Sequence, residues 1–227
     1  MKTSNTILIT LIGSISLIIV AGAMQLRFTG IEKTKLAEQL FLSSDLTEFK
    51  YLVIRESVNL TVAHSDETKL MVWNAPGEEK PAVRYHFTGD TLIIDQIKFG
   101  SHARTLAVTI NTPSQNIEWI DVENSEFSLK DFAVKSLAIK LSGSRLNLYA
   151  EKTLKAGKLK ITGIGDSYID AYNVQLDTLE LHLDKSQARI SVPIGKLKGA
   201  MVNNASLFIQ DVADIEFRKD SSSRLLY

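Results

Sequence analysis

The sequence predicts an all-β fold, a right-handed parallel β-helix with coils of about 18–22 residues. Three observations support it: a repeat of nearly constant length, alternating apolar and polar residues within each repeat, and small polar residues where the alternation breaks. Six apolar residues open the successive repeats: Ile117, Leu137, Leu159, Leu179, Leu197 and Ile215. Because a unit this short cannot bury its own apolar side, it must stack on its neighbours, which produces a solenoid.

Each repeat has the side-chain period of a β-strand. In LAIKLSGSRLNL, the residues Leu137, Ile139 and Leu141 fall on one face of a strand. The break at 142–144 contains residues that accept a sharp bend, and the alternation resumes at Leu146. A helix needs apolar spacings of three and four, and a strand with a crossover helix needs about 30 residues. We therefore expect two or three short strands per coil.

Small polar residues recur near one position of each repeat: Ser125, Ser144, Ser167, Ser186, Ser206 and Ser223. In a solenoid such positions stack into a column at a corner. The column could be a polar stripe that binds glycan, or its hydroxyl groups could satisfy backbone groups at the corner. The second interpretation is favoured, because serine hydroxyls readily bond to nearby backbone.

The amino-terminal segment is predicted to contact a membrane. Ile7 to Met24 is largely apolar, and 18 residues at about 1.5 Å each approach the ~30 Å thickness of the hydrocarbon core. Ala21 to Ala23 also fits the small-residue pattern of signal-peptide cleavage. The segment is therefore one transmembrane or signal helix, with the uncleaved anchor favoured.

The rest of the first half divides into a spacer and the start of the β domain. Gly30 to Ser44 has a weakly amphipathic helical pattern, which is compatible with a juxtamembrane spacer or with a cap on the first coil of the solenoid. We interpret it as a spacer, placed at 27–45 after the anchor or signal peptide at 1–26. Asn74 to Pro81 has the composition of a loop, and the turn at Gly89–Asp90 indicates either a hairpin or two successive coils. No linker precedes the repeats, so 46–227 is predicted to be one β domain.

Composition and motifs argue against several kinds of chemistry. Lys plus Arg and Asp plus Glu both total 26, and no basic run is interleaved with aromatic residues, so no nucleic-acid partner is expected. The absence of cysteine excludes disulfides, thiolate metal sites, a cysteine nucleophile and a lipidated cysteine. Gly163–Gly165 lacks the strand–helix context of a dinucleotide site. We expect no cofactor.

Candidate catalytic and metal-binding residues are few. The four histidines have no metal-ligand spacing: His64, His86, His102 and His182. Four acidic residues in the repeats could supply the carboxylate pair of a glycosidase: Asp166, Asp170, Glu180 and Asp184. Stacked coils bring many acids within range, so solvated turn residues are the favoured explanation. No catalytic or metal site is predicted.

Two further groups of residues are given structural roles. Trp119 and Phe127 in the first clear repeat are predicted to be packing residues. Four charged residues near the end of the chain would discourage edge-to-edge pairing of the last coil: Arg218, Lys219, Asp220 and Arg224. That coil is expected to leave an open edge.

Several segments together resemble one known family. FKYLVIRESVNLTVAHSDETKLMV, GDTLIIDQ, LAVTINTP and the repeated SGSRLNL and GDSYIDA units resemble the head GIN domain of Bacteroidetes-type bacteria, named as a candidate autotransporter adhesin. The resemblance covers roughly Leu46 to Leu226. It implies an exported or envelope-anchored β-helical protein and assigns no functional residues. This chain departs from family members that carry a lipoprotein signal, because it has no cysteine.

Together these observations predict a non-catalytic binding or adhesion module of the bacterial cell envelope, anchored by Ile7 to Met24, with a periplasmic or extracellular domain. A secreted form cleaved after Ala23 is the alternative location. The partner would be a glycan or an envelope protein, and an exposed aromatic stripe at stacked positions would favour this function. A self-assembling envelope scaffold is the alternative function, and uncapped apolar ends would favour it. A polysaccharide-active enzyme is the third hypothesis.

Overall fold

Parallel strands stacked in coils form the architecture seen in a computed structural model, which describes residues 41–55, 59–73, 82–98 and 108–226. The chain separates into two units, Met1–Leu42 and Ser43–Tyr227, and the second contains the solenoid. Within the described residues the fold is all-β, apart from one 3-10 turn at Ser114–Asn116, and no helix there is long and apolar enough to span a bilayer. The predicted segment Ile7 to Met24 lies outside the described residues.

Seventeen strands are described. They are β1 Phe41–Asp45, β2 Tyr51–Ile54, β3 Asn59–His64, β4 Lys69–Trp73, β5 Ala82–Thr88, β6 Thr91–Lys98, β7 Val108–Thr112, β8 Trp119–Glu123, β9 Glu126–Lys130, β10 Ser136–Ser142, β11 Arg145–Ile164, β12 Tyr168–Asp184, β13 Gln187–Ile190, β14 Ile194–Val202, β15 Ser206–Ile209, β16 Val212–Lys219 and β17 Arg224–Leu226. Phe41–Asp45 is a strand, so the helical pattern predicted through residue 44 is wrong at its carboxyl end. The remainder of the predicted spacer lies mostly outside the described residues.

The predicted repeats are confirmed by the strand register. Five residues pair in succession from coil to coil: Leu137, Leu159, Leu179, Leu197 and Ile215. Ile117 does not belong to this register. β8 aligns Trp119 with Ala138, so Ile117 lies one residue before the position opposite Leu137. The repeats build a parallel β-solenoid of about five turns.

Each coil presents two successive strands, which we call A and B. The A strands of the repeats are β8, β10, the second halves of β11 and β12, β14 and β16. The B strands are β9, the first halves of β11 and β12, β13, β15 and β17. Alternate side chains of both point inward, and Ile139, Leu181, Leu146 and Leu207 are at most 2% exposed. The core therefore runs through the centre of the coils.

Corners between A and B strands contain backbone with positive φ. Seven corner residues have this conformation: Asn124, Gly143, Gly165, Asp166, Lys185, Asn203 and Asn204. Glycine, asparagine and aspartate tolerate it best, which explains the small polar breaks in the sequence. At Gly143, an added Cβ would also lie 2.8 Å from the Asn124 Oδ1 atom.

The first half of the domain is stacked out of chain order. β2 and β3 lie between β6 and β7 on one side and β8 and β9 on the other, all in parallel register. The predicted hairpin is confirmed as β5 and β6, and β4 pairs antiparallel with β7. The chain therefore builds its outermost coil after an inner one and covers that coil with antiparallel strands.

Candidate functional site

The column of small residues lies inside the corner between A and B strands. Five of the predicted serines are at most 6% exposed: Ser125, Ser144, Ser167, Ser186 and Ser223. Ser206 does not belong to the column, because it pairs with Gln187 and Ala205 takes the corner position. Buried hydroxyl groups cannot contact a glycan, so the interpretation of this column as a binding stripe is wrong.

Hydrogen bonds within the column confirm its backbone role. The Ser144 Oγ atom lies 2.8 Å from the carbonyl oxygen of Ser142 and 3.1 Å from that of Val122, and it accepts the backbone N–H of Ser125 at 3.2 Å. The backbone N–H of Ser144 donates in turn to the Ser167 Oγ atom at 3.3 Å. These bonds link neighbouring coils at the corner, where the strand ladders are interrupted.

The outward surface of the A strands, which we call face A, is a charged ladder. In one column the residues alternate in sign from coil to coil: Lys160, Glu180, Lys198 and Glu216. Glu180 receives hydrogen bonds from Lys160 at 2.8 Å and Lys158 at 3.2 Å. The next acidic pair is held by Lys196, whose Nζ atom lies 3.1 Å from Asp214 and 3.5 Å from Glu216.

These ion pairs keep the carboxyl group of Glu180 in its charged form. The hydrogen bond from Lys160 is the main cause that lowers the pKa of Glu180 to about 2, and Lys158 and His182 contribute in the same direction. Glu180 is therefore ionised at neutral pH, and it is already paired with the ammonium groups of Lys158 and Lys160. Around Glu180 and Lys196, the opposite charges of face A neutralise one another.

The outward surface of the B strands, which we call face B, presents aromatic rings. Tyr149 of β11 and Tyr172 of β12 are register partners, and their rings stack with centroids 5.4 Å apart and planes 11° apart. Tyr172 is 42% exposed. Burial against its surroundings, followed by the nearby Tyr149 and Asp170, raises the pKa of Tyr172, so its hydroxyl stays protonated and can donate.

Arginine side chains lie against the other aromatic rings of face B. The guanidinium of Arg145 lies 5.2 Å from the centroid of the Tyr168 ring, and that of Arg189 lies 6.0 Å from the Phe208 ring. Such cation–π contacts hold flat side chains against the sheet. Tyr168 and Tyr172 are on one strand, about 13 Å apart at the usual rise per residue.

Polar groups occupy the space between these aromatic rings. Asn147, Asp170 and Arg189 form one outward column on three adjacent strands, between the columns of Tyr168 and Tyr172. At the Tyr168 end, face B continues into a groove of about 400 Å³ that is lined by polar corner residues, among them Asn59 and Asp166. Face B therefore combines flat apolar surfaces with hydrogen-bonding groups, as sites for small ligands usually do.

A second cleft, of about 530 Å³, lies beside the hairpin of β5 and β6. Four of the ionisable side chains that line it are bonded in two pairs. Arg55 donates to Glu123 at 2.5 Å, and the Nδ1 atom of His86 lies 2.9 Å from Asp95. This cleft is less suited to a ligand than face B, because a ligand would have to displace these partners.

The four acidic residues that could supply a glycosidase carboxylate pair are distributed over different surfaces. Glu180 and Asp184 point outward on face A, Asp170 lies on face B, and Asp166 is at a corner, 3.4 Å from Lys185. No pair of them faces another across a cleft in the described part of the chain. Asp184 accepts a hydrogen bond from the Asn203 side chain at 2.7 Å, which stabilises the corner.

The histidines are not brought together either. His64 accepts the backbone N–H of Ser114 at 3.3 Å, and His182 lies 3.4 Å from Glu180. His102 lies outside the described residues. Within the residues that the structure does describe, no cluster of His, Asp and Glu could hold a metal ion.

Of the two predicted packing residues, Phe127 is confirmed, with 0% exposure. Trp119 instead points outward on face A, half-buried in register with Tyr51 and Ala138. The alternation explains the difference, because Ile120 is the neighbour that faces the core.

One solved structure shares this fold at low sequence identity, and another is similar at a lower TM-score. A proposed lipid-binding protein from Parabacteroides distasonis aligns with a TM-score of 0.54 and 12% identity, covering 82% of this chain and 94% of that one. A proposed adhesin from Bacteroides fragilis aligns with a TM-score of 0.48 and 12% identity over the same shares. No protein-family model matches the chain, and no curated protein matches its sequence.

Proposed function

We propose that this chain is a non-catalytic binding module of the bacterial cell envelope and that it recognises a glycan through face B. The observation that carries the proposal is the in-register stack of half-buried Tyr149 on exposed Tyr172, with the Tyr168 ring at the other end of the same face. An aromatic stripe at stacked positions would favour a binding function, and the Tyr149–Tyr172 stack supplies part of one.

The chemistry of face B suits a sugar chain. The C–H side of a pyranose ring is attracted to the electron-rich face of an aromatic ring, and its hydroxyls need donors and acceptors close by. Asn147, Asp170 and Arg189 supply both between the rings. Glycan binding is favoured over an apolar ligand because polar side chains separate the aromatic groups.

The location is part of the same proposal. The resemblance to the head GIN domain supports an exported protein, and the apolar segment from Ile7 to Met24 supports a single-pass anchor. We accordingly divide the chain into an anchor at 1–26, a spacer at 27–45 and a binding domain at 46–227. A cleaved signal peptide would give the same domain without the anchor.

A glycan array tests the proposed function. The full chain, purified in detergent, is applied to neutral and uronate-containing oligosaccharides, and the affinity for each bound glycan is then measured by titration. We expect the double variant Tyr149→Ala/Tyr172→Ala to bind roughly 30-fold more weakly or worse, as is usual when an aromatic residue that a bound partner covers is removed. The matched control Lys160→Ala/Lys198→Ala alters face A by the same number of residues and should bind normally.

Three results would contradict this function. The first is an array without any bound glycan, and the second is equal loss of affinity in both double variants. The third is binding to phospholipid vesicles that the tyrosine substitutions leave unchanged. Circular dichroism of each variant verifies that the β fold is retained.

A further inference from the structure

Two arginines on face B occupy equivalent positions in the sheet. Each lies between an acidic register partner on one neighbouring strand and an aromatic register partner on the other, and we call each group of three a triad. The residues of the first triad are Glu126, Arg145 and Tyr168, on β9, β11 and β12. Those of the second are Asp170, Arg189 and Phe208, on β12, β13 and β15. The same order of acid, arginine and ring therefore occurs twice on one face.

In both triads the arginine contacts the ring instead of the acid. Arg145 lies over the Tyr168 ring, and Arg189 lies over the Phe208 ring. Because neighbouring strands are about 4.8 Å apart, each guanidinium is also within reach of the acid. Among the described residues, however, neither arginine has an ion-pair partner, and neither has the acid of its triad. A cation–π contact at a surface is comparable in energy to an exposed ion pair, so the ring is sufficient to hold the arginine.

Each triad therefore keeps its hydrogen-bonding groups available to a ligand. The guanidinium presents N–H donors, and the carboxylate one strand away presents acceptors. A sugar hydroxyl both donates and accepts, so neighbouring hydroxyls of one sugar can bond to the arginine and the acid of the same triad. On face A, by contrast, Lys160 and Glu180 bond to each other at 2.8 Å.

The charges of the triads favour a neutral ligand. Each triad has one basic and one acidic side chain, which cancel in net charge. A carboxylate bound to either guanidinium would lie about one strand spacing from the acid, and like charges at facing positions are destabilising. Of the two further cations on the described strands of face B, Lys130 is paired with Glu151, and Arg224 lies two strands away from Arg189.

The spacing of the triads sets a minimum length for the ligand. Equivalent residues of the two triads, such as Arg145 and Arg189, are two strands and two residues apart. At the usual spacings of a sheet, this offset is about 12 Å. A single sugar ring is smaller than that, so one sugar cannot contact both arginines at once.

We propose that the two triads are two subsites for one ligand, a neutral oligosaccharide long enough to reach both. The inference rests on the proposed glycan-binding function of face B, and it adds the chemical class and the minimum length of the glycan. Asp170 of the second triad is two residues from Tyr172 on β12, so the stacked tyrosines adjoin the same site.

Matched oligosaccharides test the charge and the length of the ligand. The full chain, in a detergent without a sugar headgroup, is titrated with oligomers of one to six units of glucose, mannose and galactose and with the corresponding uronates. The neutral hexamer of highest affinity should bind at least about tenfold more tightly than its uronate counterpart and than its monosaccharide, because only the hexamer engages both subsites without charge repulsion. Its affinity should change little between low and high salt.

The results separate this inference from the proposed function. Tighter binding of the uronate, or equal binding of monosaccharide and hexamer, would overturn the inference and leave glycan binding intact. Binding of none of these sugars would also overturn the inference, and the glycan array then decides whether glycan binding itself fails.

Single substitutions test whether both triads take part. Arg145→Gln and Arg189→Gln should each weaken binding of the neutral hexamer about tenfold, and the double variant about a hundredfold, because sites this far apart contribute independently. The control Arg218→Gln removes an exposed arginine of face A that has no ion-pair partner among the described residues, and it should not change the affinity. A loss in only one of the two face B variants, or an equal loss in the control, would overturn the two-subsite arrangement.

Discussion

Faces A and B are built on the same coils and yet have opposite chemistry. On face A, lysine and glutamate alternate from strand to strand and satisfy one another, as Lys160 and Glu180 do at 2.8 Å. On face B, the corresponding outward positions hold the stacked rings of Tyr149 and Tyr172 and arginines that lie on other rings. The difference shows that the repeat determines where outward side chains lie, and the residue types determine which face is available to a ligand.

The largest expected effect is the loss of stability when a core side chain is truncated, and it tests whether the two faces share one core. Leu181→Ala beneath face A and Leu146→Ala beneath face B each remove a fully buried side chain. Both should lower the free energy of unfolding by about 2–5 kcal/mol, the usual cost of such a cavity. Urea denaturation measures the free energy of unfolding of each variant. A large loss in one variant and almost none in the other would show that the strands below the two faces are not equivalent.

A smaller effect is expected at the corner that joins the faces. Ser144→Ala should cost about 1–3 kcal/mol of unfolding free energy, because the buried N–H of Ser125 loses its acceptor. Ser128→Ala, on face B, is the control and should change stability by less than about 0.5 kcal/mol. If the two variants were equally stable, the serine column would not be a link between coils. Ala205 shows that one coil accommodates alanine at this position.

The smallest effect should distinguish the faces by their dependence on pH. Because the folded-state pKa of Glu180 is lowered from 4.5 to about 2, its stabilisation is complete above about pH 4.5 and is lost as the pH falls through 2. Glu180→Gln should therefore melt at a lower temperature than the unsubstituted chain at pH 7, and the difference should shrink towards pH 2. Thermal melts over this range provide the measurement.

A change of salt concentration provides the control for the thermal melts of Glu180→Gln. Ion pairs at a surface are screened, so high salt should reduce the effect of Glu180→Gln at pH 7. Tyr149→Ala removes an uncharged ring contact on face B, so its effect on the melting temperature should not change between pH 7 and pH 4. A salt-independent effect at Glu180 would mean that packing, rather than charge, stabilises face A.

The sequence predicted the second half of the fold well because the period of the repeat is visible there. Leu137, Leu159, Leu179 and Leu197 are register partners as expected. The first half was harder, because the placement of β2 and β3 between later strands depends on contacts between distant segments, which leave no local pattern. One continuous alternation is compatible with either stacking order.

Small differences in corner length between coils made the candidate site difficult to predict from the sequence. One coil has both Asn203 and Asn204 at the corner where the preceding coil has only Lys185, so spacing alone selected Ser206 in place of Ala205. Tyr149 and Tyr172 became partners for the same reason, because an additional corner residue separates the two strands. Aligning the repeats at their buried leucines and allowing such insertions would have revealed the stacked tyrosines.

The central claim, that ligand binding belongs to face B, is tested most directly by hydrogen exchange of the full chain with and without the array glycan of highest affinity. Binding should slow exchange in Arg145–Tyr149 and Tyr168–Tyr172, and leave 158–163 and 196–201 on face A unchanged. Protection confined to the two face A segments would contradict the claim, because the aromatic stack would then have no part in recognition.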